Sequence, residues 1–137
     1  TGLNGGASAM GALALSLDRM NAIRQIDPAA RTAEVEAGVI LSRLHDAVDV
    51  HDLIFPLTFG ARGSAMIGGA LSTNAGGSNV LRYGTTLDLV LGLTVVLADG
   101  RVLDMMTRLH HYNSRLNLKR SMNGAESTLA VIPSSTC

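Results

Sequence analysis

The chain has 137 residues, 47% of them apolar, with 11 basic and 11 acidic side chains and a formal charge of zero. That is enough apolar material for one domain with a core and excludes a disordered tail, while balanced charge and only two Phe and two Tyr exclude a basic or base-stacking surface for nucleic acid. A single cysteine, Cys137, excludes an internal disulfide framework and a cysteine-based zinc site, and the longest apolar run, 89–98, is about half of what a bilayer span needs.

Residues 12–17 are apolar and read as a strand. Residues 20–26 read as a second short strand, ended by the turn pair Asp27-Pro28. Residues 32–39 alternate, with Ala33, Val35, Ala37 and Val39 facing one way and Glu34 and Glu36 the other, which predicts a half-buried strand broken at Gly38. Ile40, Leu41, Leu44, Ala47 and Val48 recur at helical spacing and predict an amphipathic helix over 39–50. Residues 53–59, around Pro56, read as an irregular connector, and 65–74 as a short helix. Residues 88–98, rich in Leu and Val, predict a buried strand. Asp99-Gly100 is a hairpin signal, with 101–106 as the returning strand. A helical turn over 117–122 and a last strand over 128–132 follow, and 134–137 read as an irregular tail. Strands precede and follow helices without strict alternation, which predicts an α+β fold: a mainly antiparallel sheet with flanking helices.

Glycine is the compositional outlier. There are 15, and seven lie between Gly60 and Gly84. Such a density costs folding entropy, and the usual compensation is a backbone that turns sharply or is approached closely. Two segments concentrate it, 1–6 and 60–77, and neither has the spacing of a Walker loop or a dinucleotide fingerprint. Both offer unhindered backbone N–H groups, with the hydroxyls of Thr1, Ser64, Ser72, Thr73 and Ser78 nearby. Successive N–H groups in tight turns form anion-binding concavities, for which a diphosphate is a natural guest. Arg62 is the sole charged residue between Gly60 and Gly77. The plainer use of the same glycines is to let the chain turn.

The 46 residues from Phe55 to Gly100 carry a longer pattern. Its fixed points are Phe55-Pro56-Leu57, Gly60, Gly63-Ser64, Ile67-Gly68-Gly69, Thr73-Asn74-Ala75-Gly76-Gly77, Arg82-Tyr83-Gly84, Leu91-Gly92 and Val96-Leu97-Ala98-Asp99-Gly100. This stretch resembles the FAD-contacting segment of the vanillyl-alcohol-oxidase-like (PCMH-type) flavoproteins, in the branch that contains D-lactate, glycolate and D-2-hydroxyglutarate dehydrogenases. Residues 1–6 resemble the end of that family's first glycine loop. The sequence Ser16-Leu17-Asp18-Arg19-Met20-Asn21 and the triplet Glu36-Ala37-Gly38 are similar to its next landmarks. The resemblance implies that residues 1–133 are part of an FAD-binding domain. It implies cofactor contacts at Gly2, Gly5, Gly6, Pro56, Gly60, Ser64, Gly68, Gly69, Thr73, Asn74 and Gly76. It also implies a flavoenzyme that oxidises a small 2-hydroxy acid by hydride transfer to FAD, with no catalytic residue in this chain. The compartment it implies is cytoplasmic in a bacterial setting and mitochondrial in a eukaryotic one. A truncated, inactive remnant or flavin-binding module and an NADPH-dependent reductase of the same superfamily are the alternative readings.

The match thins after residue 110. Where the family has glycine, this chain has Arg115, Ser127 and Ala130, and Pro133 removes a donor from a presumed strand. The chain reads as a fragment, since a strand-helix-strand unit before Thr1 and a substrate domain after residue 133 belong to the resembled family. His110 and His111, adjacent on a presumed strand, point to opposite faces and have no third metal ligand close by. His45 and His51 read as surface or core-edge residues. Glu34 and Glu36 read as a solvated strand face, Tyr83 as a packing residue in its turn, and Met105-Met106 as core. Cys137 lies beyond the recognisable motif and does not read as a flavin attachment point.

Overall fold

The pair Asp27-Pro28 reverses the chain between two strands, β1 (Ile23–Asp27) and β2 (Thr32–Glu36), in a computed structural model that describes residues 8, 10–11, 13–106, 121–126 and 128–137. Asp27 Oδ1 accepts from the Ala30 N–H at 3.0 Å, closing the turn, and the strands pair antiparallel with Asp27 opposite Thr32. The alternation expected in β2 is present: Ala33 and Val35 are buried, while Glu34 and Glu36 lie on the other face, ion-paired with Arg24 at 3.5 and 3.0 Å. The strand ends at Glu36, and Gly38 just beyond it must be glycine because a Cβ there would run into the backbone oxygen of Leu17.

Helix α1 (Leu41–Asp49) buries Leu41, Leu44 and Val48, the i, i+3, i+7 stripe that its sequence predicted. No side chain caps it. The 61–65 turn does so instead, through Leu41 N to Ala65 O (2.9 Å) and Ser42 N to Arg62 O (3.0 Å). After the irregular 53–59 connector come α2 (Ile67–Ser72), α3 (Val80–Tyr83), α4 (Thr86–Leu89) and the hairpin of β3 (Gly92–Leu97) and β4 (Val102–Met105). Gly100 takes φ +85 in the hairpin turn, as the Asp99-Gly100 signal requires. The strand expected from residue 88 starts only at Gly92. Asp88 is held by a reciprocal capping box, accepting from Thr85 N at 2.8 Å and Thr85 Oγ1 at 3.1 Å, which keeps the chain helical to Leu89.

The last strand, β5 (Ala130–Thr136), enters between β2 and β3 and completes an all-antiparallel sheet in the order β1-β2-β5-β3-β4. Residues 134–136 are therefore not an irregular tail. They form the sheet's central strand, with Ser135 between Val35 and Leu93. Pro133 is accommodated because the β3–β5 register shifts there, between the pairs Thr94↔Ser134 and Val96↔Val131, and its carbonyl accepts from Ala37 N at 2.8 Å. The strand expected over 12–17 does not form within the described residues. Leu13 and Leu15 are exposed, and a local turn, Met20 N to Leu17 O at 2.9 Å, leads the chain into β1 instead.

The core joins one face of the sheet (Val35, Leu93, Val95, Ile132) to α1 and α2 (Leu41, Leu44, Ile67, Leu71), with Leu57 and Val90 filling the ends. Burial of each such side chain contributes roughly 1.5–3 kcal/mol. Among the described residues no helix is long and apolar enough to cross a membrane. His110, His111 and most of the turn expected over 117–122 lie outside the described residues.

Candidate functional site

The glycine-rich stretch folds as two turns around one short helix, and its glycines divide into two kinds. Some are required by the fold itself. A Cβ on Gly68 would lie 2.7 Å from Ala37 Cβ, where α2 crosses the end of β2. A Cβ on Gly77 would strike the backbone oxygen of Thr58, where two loops are joined by Ser78 N to Thr58 O at 2.9 Å. Gly60, Gly63 and Gly69 are different. Among the described residues nothing lies within 4 Å of a Cβ built on any of them, all three are exposed, and none has a left-handed φ. Neither backbone conformation nor packing among the described residues calls for glycine there, so with respect to those residues the smallness is directed outward.

Helix α2 is not an open anion site at its start. Its first N–H groups are already taken, Ile67 N by Val39 O (2.9 Å) and Gly68 N by Ala37 O (2.8 Å). Its end is stopped by Asn74 at φ +47, with Ala75 N to Ala70 O at 2.8 Å and Asn74 N to Leu71 O at 3.1 Å. That pair of bonds is a Schellman stop with asparagine in the left-handed position. The Asn74 side chain also works within the fold, since its Oδ1 accepts from Leu87 N at 2.9 Å.

Of the other predicted contacts, Ser64 Oγ donates to Ala61 O (3.3 Å) and Thr73 Oγ1 to Gly69 O (2.9 Å), both at exposed positions. Each hydroxyl keeps its acceptor lone pairs. The fold joins the 56–58 and 78–79 segments, far apart in sequence, through Ser78 N and Oγ to Thr58 O and Asn79 Nδ2 to Pro56 O, which sets Pro56 and Gly76 in two loops fastened to each other. Gly2, Gly5 and Gly6 lie outside the described residues. Sequence reasoning missed the donors that fasten this region. Asn79 Nδ2 donates to Pro56 O (3.1 Å) and His45 Nε2 to Leu57 O (2.9 Å). A polar amide two residues after the Gly76-Gly77 pair was the available signal for the first; nothing local signals the second.

An apolar cavity of about 640 Å³ lies between the end of α1, the connector and the end of β5. Leu44, Val48, Phe55, Leu89, Leu91 and Cys137 contribute to its wall, and among the described residues Pro56 is the only predicted contact that reaches it. Burial pushes the Cys137 thiol up to about 12, which keeps it protonated and unreactive at neutral pH. Tyr83 packs at the same cavity, with the Arg82 guanidinium 5.1 Å from its ring centre. Among the described residues no cluster of His, Cys, Asp and Glu can hold a metal ion.

Residues 1–106 match a family model described as an FAD binding domain. The chain is 42% identical over 137 residues to a D-2-hydroxyglutarate dehydrogenase of Xanthomonas citri pv. viticola, covering 99% of this chain and 29% of that protein. It is 43% identical over 133 residues to the mitochondrial D-2-hydroxyglutarate dehydrogenase of Danio rerio, covering 96% and 25%. It is 42% identical over 120 residues to the D-2-hydroxyglutarate–pyruvate transhydrogenase of Saccharomyces cerevisiae, covering 88% and 24%. The chain thus spans between 24% and 29% of the length of these relatives. Its fold is similar to that of alkyldihydroxyacetonephosphate synthase, with a TM-score of 0.76 at 22% identity over 87% of this chain and 21% of that one.

Proposed function

The chain belongs to the FAD binding domain family, and from that premise we propose that it forms a backbone cradle for FAD within a longer oxidoreductase acting on a small 2-hydroxy acid, 2-hydroxyglutarate by analogy with the relatives' names. The observation that carries the reading is the trio Gly60, Gly63 and Gly69, whose missing side chains are explained by nothing among the described residues. A cradle of this kind fits a diphosphate dinucleotide, because backbone can approach it closely without a large opposing charge.

In this reading Gly60, Gly63 and Gly69 admit the cofactor to the backbone, with Pro56, Gly68 and Gly76 shaping the loops around it. Ser64 and Thr73 re-aim their hydroxyl protons from Ala61 O and Gly69 O to its diphosphate, and Asn74 offers its Nδ2 while Oδ1 stays on Leu87. Gly2, Gly5 and Gly6 complete the cradle. FAD, when bound, supplies the hydride acceptor. This chain's residues bind and orient it, and the groups that recognise the substrate and take its proton belong to the remainder of the protein. The compartment that goes with this reading is the cytoplasm in a bacterium and the mitochondrion in a eukaryote, the latter being named for several relatives.

The test separates binding from folding. Gly69→Ala places a methyl into open space on a helix, so its stability should stay level or rise by up to about 1 kcal/mol. The same methyl, and that of Gly63→Ala, should weaken FAD binding roughly tenfold or more, measured by titrating flavin-free protein and following flavin fluorescence. Unchanged FAD affinity in both variants would sink the reading.

A further inference from the structure

The 53–59 connector has no regular secondary structure, yet three successive carbonyls in it are each held by a donor from another element. Pro56 O accepts from Asn79 Nδ2 at 3.1 Å, and Leu57 O from His45 Nε2 at 2.9 Å. Thr58 O accepts from both Ser78 N at 2.9 Å and Ser78 Oγ at 3.3 Å. Each carbonyl fixes the peptide plane that follows it, so the planes from Pro56 to Phe59 are all set. Phe59 O then receives Arg62 N at 3.1 Å, and the 60–64 turn starts from a fixed point.

Two of these donors are placed against local expectation. Asn79 occupies the N-cap position of α3, where asparagine is among the best capping residues, yet it makes no capping bond. Its amide goes to Pro56 instead. His45 lies on α1 between the core stripe and solvent, beside Phe55 with ring centres 6.4 Å apart. A carbonyl can only accept, so Nε2 must carry the proton in this bond.

We propose that His45 and Asn79 are positioning residues for the cofactor cradle: they lock the Pro56–Phe59 backbone from α1 and from the α3 turn, so that Gly60 and Gly63 are presented in their binding arrangement before any ligand arrives. The proposal rests on the FAD-cradle reading above. Pre-ordering matters because a loop ordered in advance does not charge its lost conformational freedom against binding.

The experiment compares His45→Phe, which keeps the ring and removes the donor, with His45→Gln, which restores an N–H at the same reach, and with Asn79→Leu, at an exposed position that does not threaten the core. Two quantities are read: amide hydrogen exchange of residues 57–64 in flavin-free protein, and the dissociation constant for FAD. His45→Phe and Asn79→Leu should speed exchange in 57–64 while α1 and β3 stay protected, and should weaken FAD binding roughly three- to tenfold. His45→Gln should return both toward wild type. Unchanged exchange in 57–64 for both donor-less variants overturns the proposal. So does exchange that rises equally throughout the molecule, which would mark the bonds as general stabilisers. Wild-type protein that takes up no FAD overturns the cradle reading and the cofactor part of this proposal with it, but leaves the exchange result standing, so the two failures are distinguishable.

Discussion

Asn123 is 7% exposed, and neither end of its amide has a hydrogen-bond partner among the described residues. Gly124 N donates to Leu71 O at 2.9 Å and Glu126 N to Ser72 O at 2.8 Å, so the segment is docked on the end of α2 while the side chain is left unsatisfied. A buried orphan amide is costly, and an apolar side chain of the same shape removes that cost. Asn123→Leu should therefore raise stability by about 1–2 kcal/mol in urea unfolding; a loss of stability would show that the amide is satisfied in solution. Glu36 makes the opposite case. The Ala22 N–H, first, and then the Arg24 guanidinium hold its carboxylate below the usual range. A depressed pKa contributes stability that is present above the unfolded value, about 4.3, and is lost as pH falls through the folded value. Glu36→Gln should thus be less stable than wild type at pH 7, and the gap should close below about pH 4. Urea midpoints at neutral pH and near pH 3 measure this. That Glu36 would face away from the core was legible in the alternation of β2. Its pairing with Arg24 was not, because a strand's sequence does not name its neighbour.

At the scale of elements, the glycine-rich stretch was legible as a class and illegible in its parts. Thr85 and Asp88, three apart, carry a capping box that the leucine- and valine-rich run after them concealed. Asn74 supplies the left-handed residue that ends α2. Gly68 and Gly77 are explained by close packing, Gly60, Gly63 and Gly69 by nothing among the described residues, and only the spatial neighbours tell the two groups apart. Gly77→Ala should accordingly destabilise the protein by roughly 1–3 kcal/mol, the range for forcing a methyl into filled space. Gly69→Ala should not. Thermal unfolding of the two variants side by side decides it, and equal melting temperatures would contradict the division.

At the scale of the whole molecule the decisive feature is β5. It is last in the chain and central in the sheet, paired with β2 on one side and β3 on the other. The two halves of the sheet, β1-β2 and β3-β4, meet only through it. Removing residues 130–137 should abolish cooperative unfolding rather than shorten an edge, and amide exchange in the intact chain should be slower in β5 than in the edge strands β1 and β4. A truncated chain that still melts cooperatively near the wild-type temperature would refute this.

The sequence by itself determined the hairpins, the stripe of α1, the antiparallel character of the sheet and the segment that carries the cofactor signature. All of these are written in local periodicity, in turn chemistry or in a contiguous motif. Only the tertiary structure decided that 134–136 form the central strand, that 12–17 form no strand within the described residues, and that His45 and Asn79 fasten the connector. Each of these depends on which distant backbone supplies a hydrogen-bond partner. Ala33 and Cys137 exchange two such bonds although 104 positions separate them, Ala33 N to Cys137 O at 2.6 Å and Cys137 N to Ala33 O at 2.9 Å. No window of local sequence contains both ends of that pair.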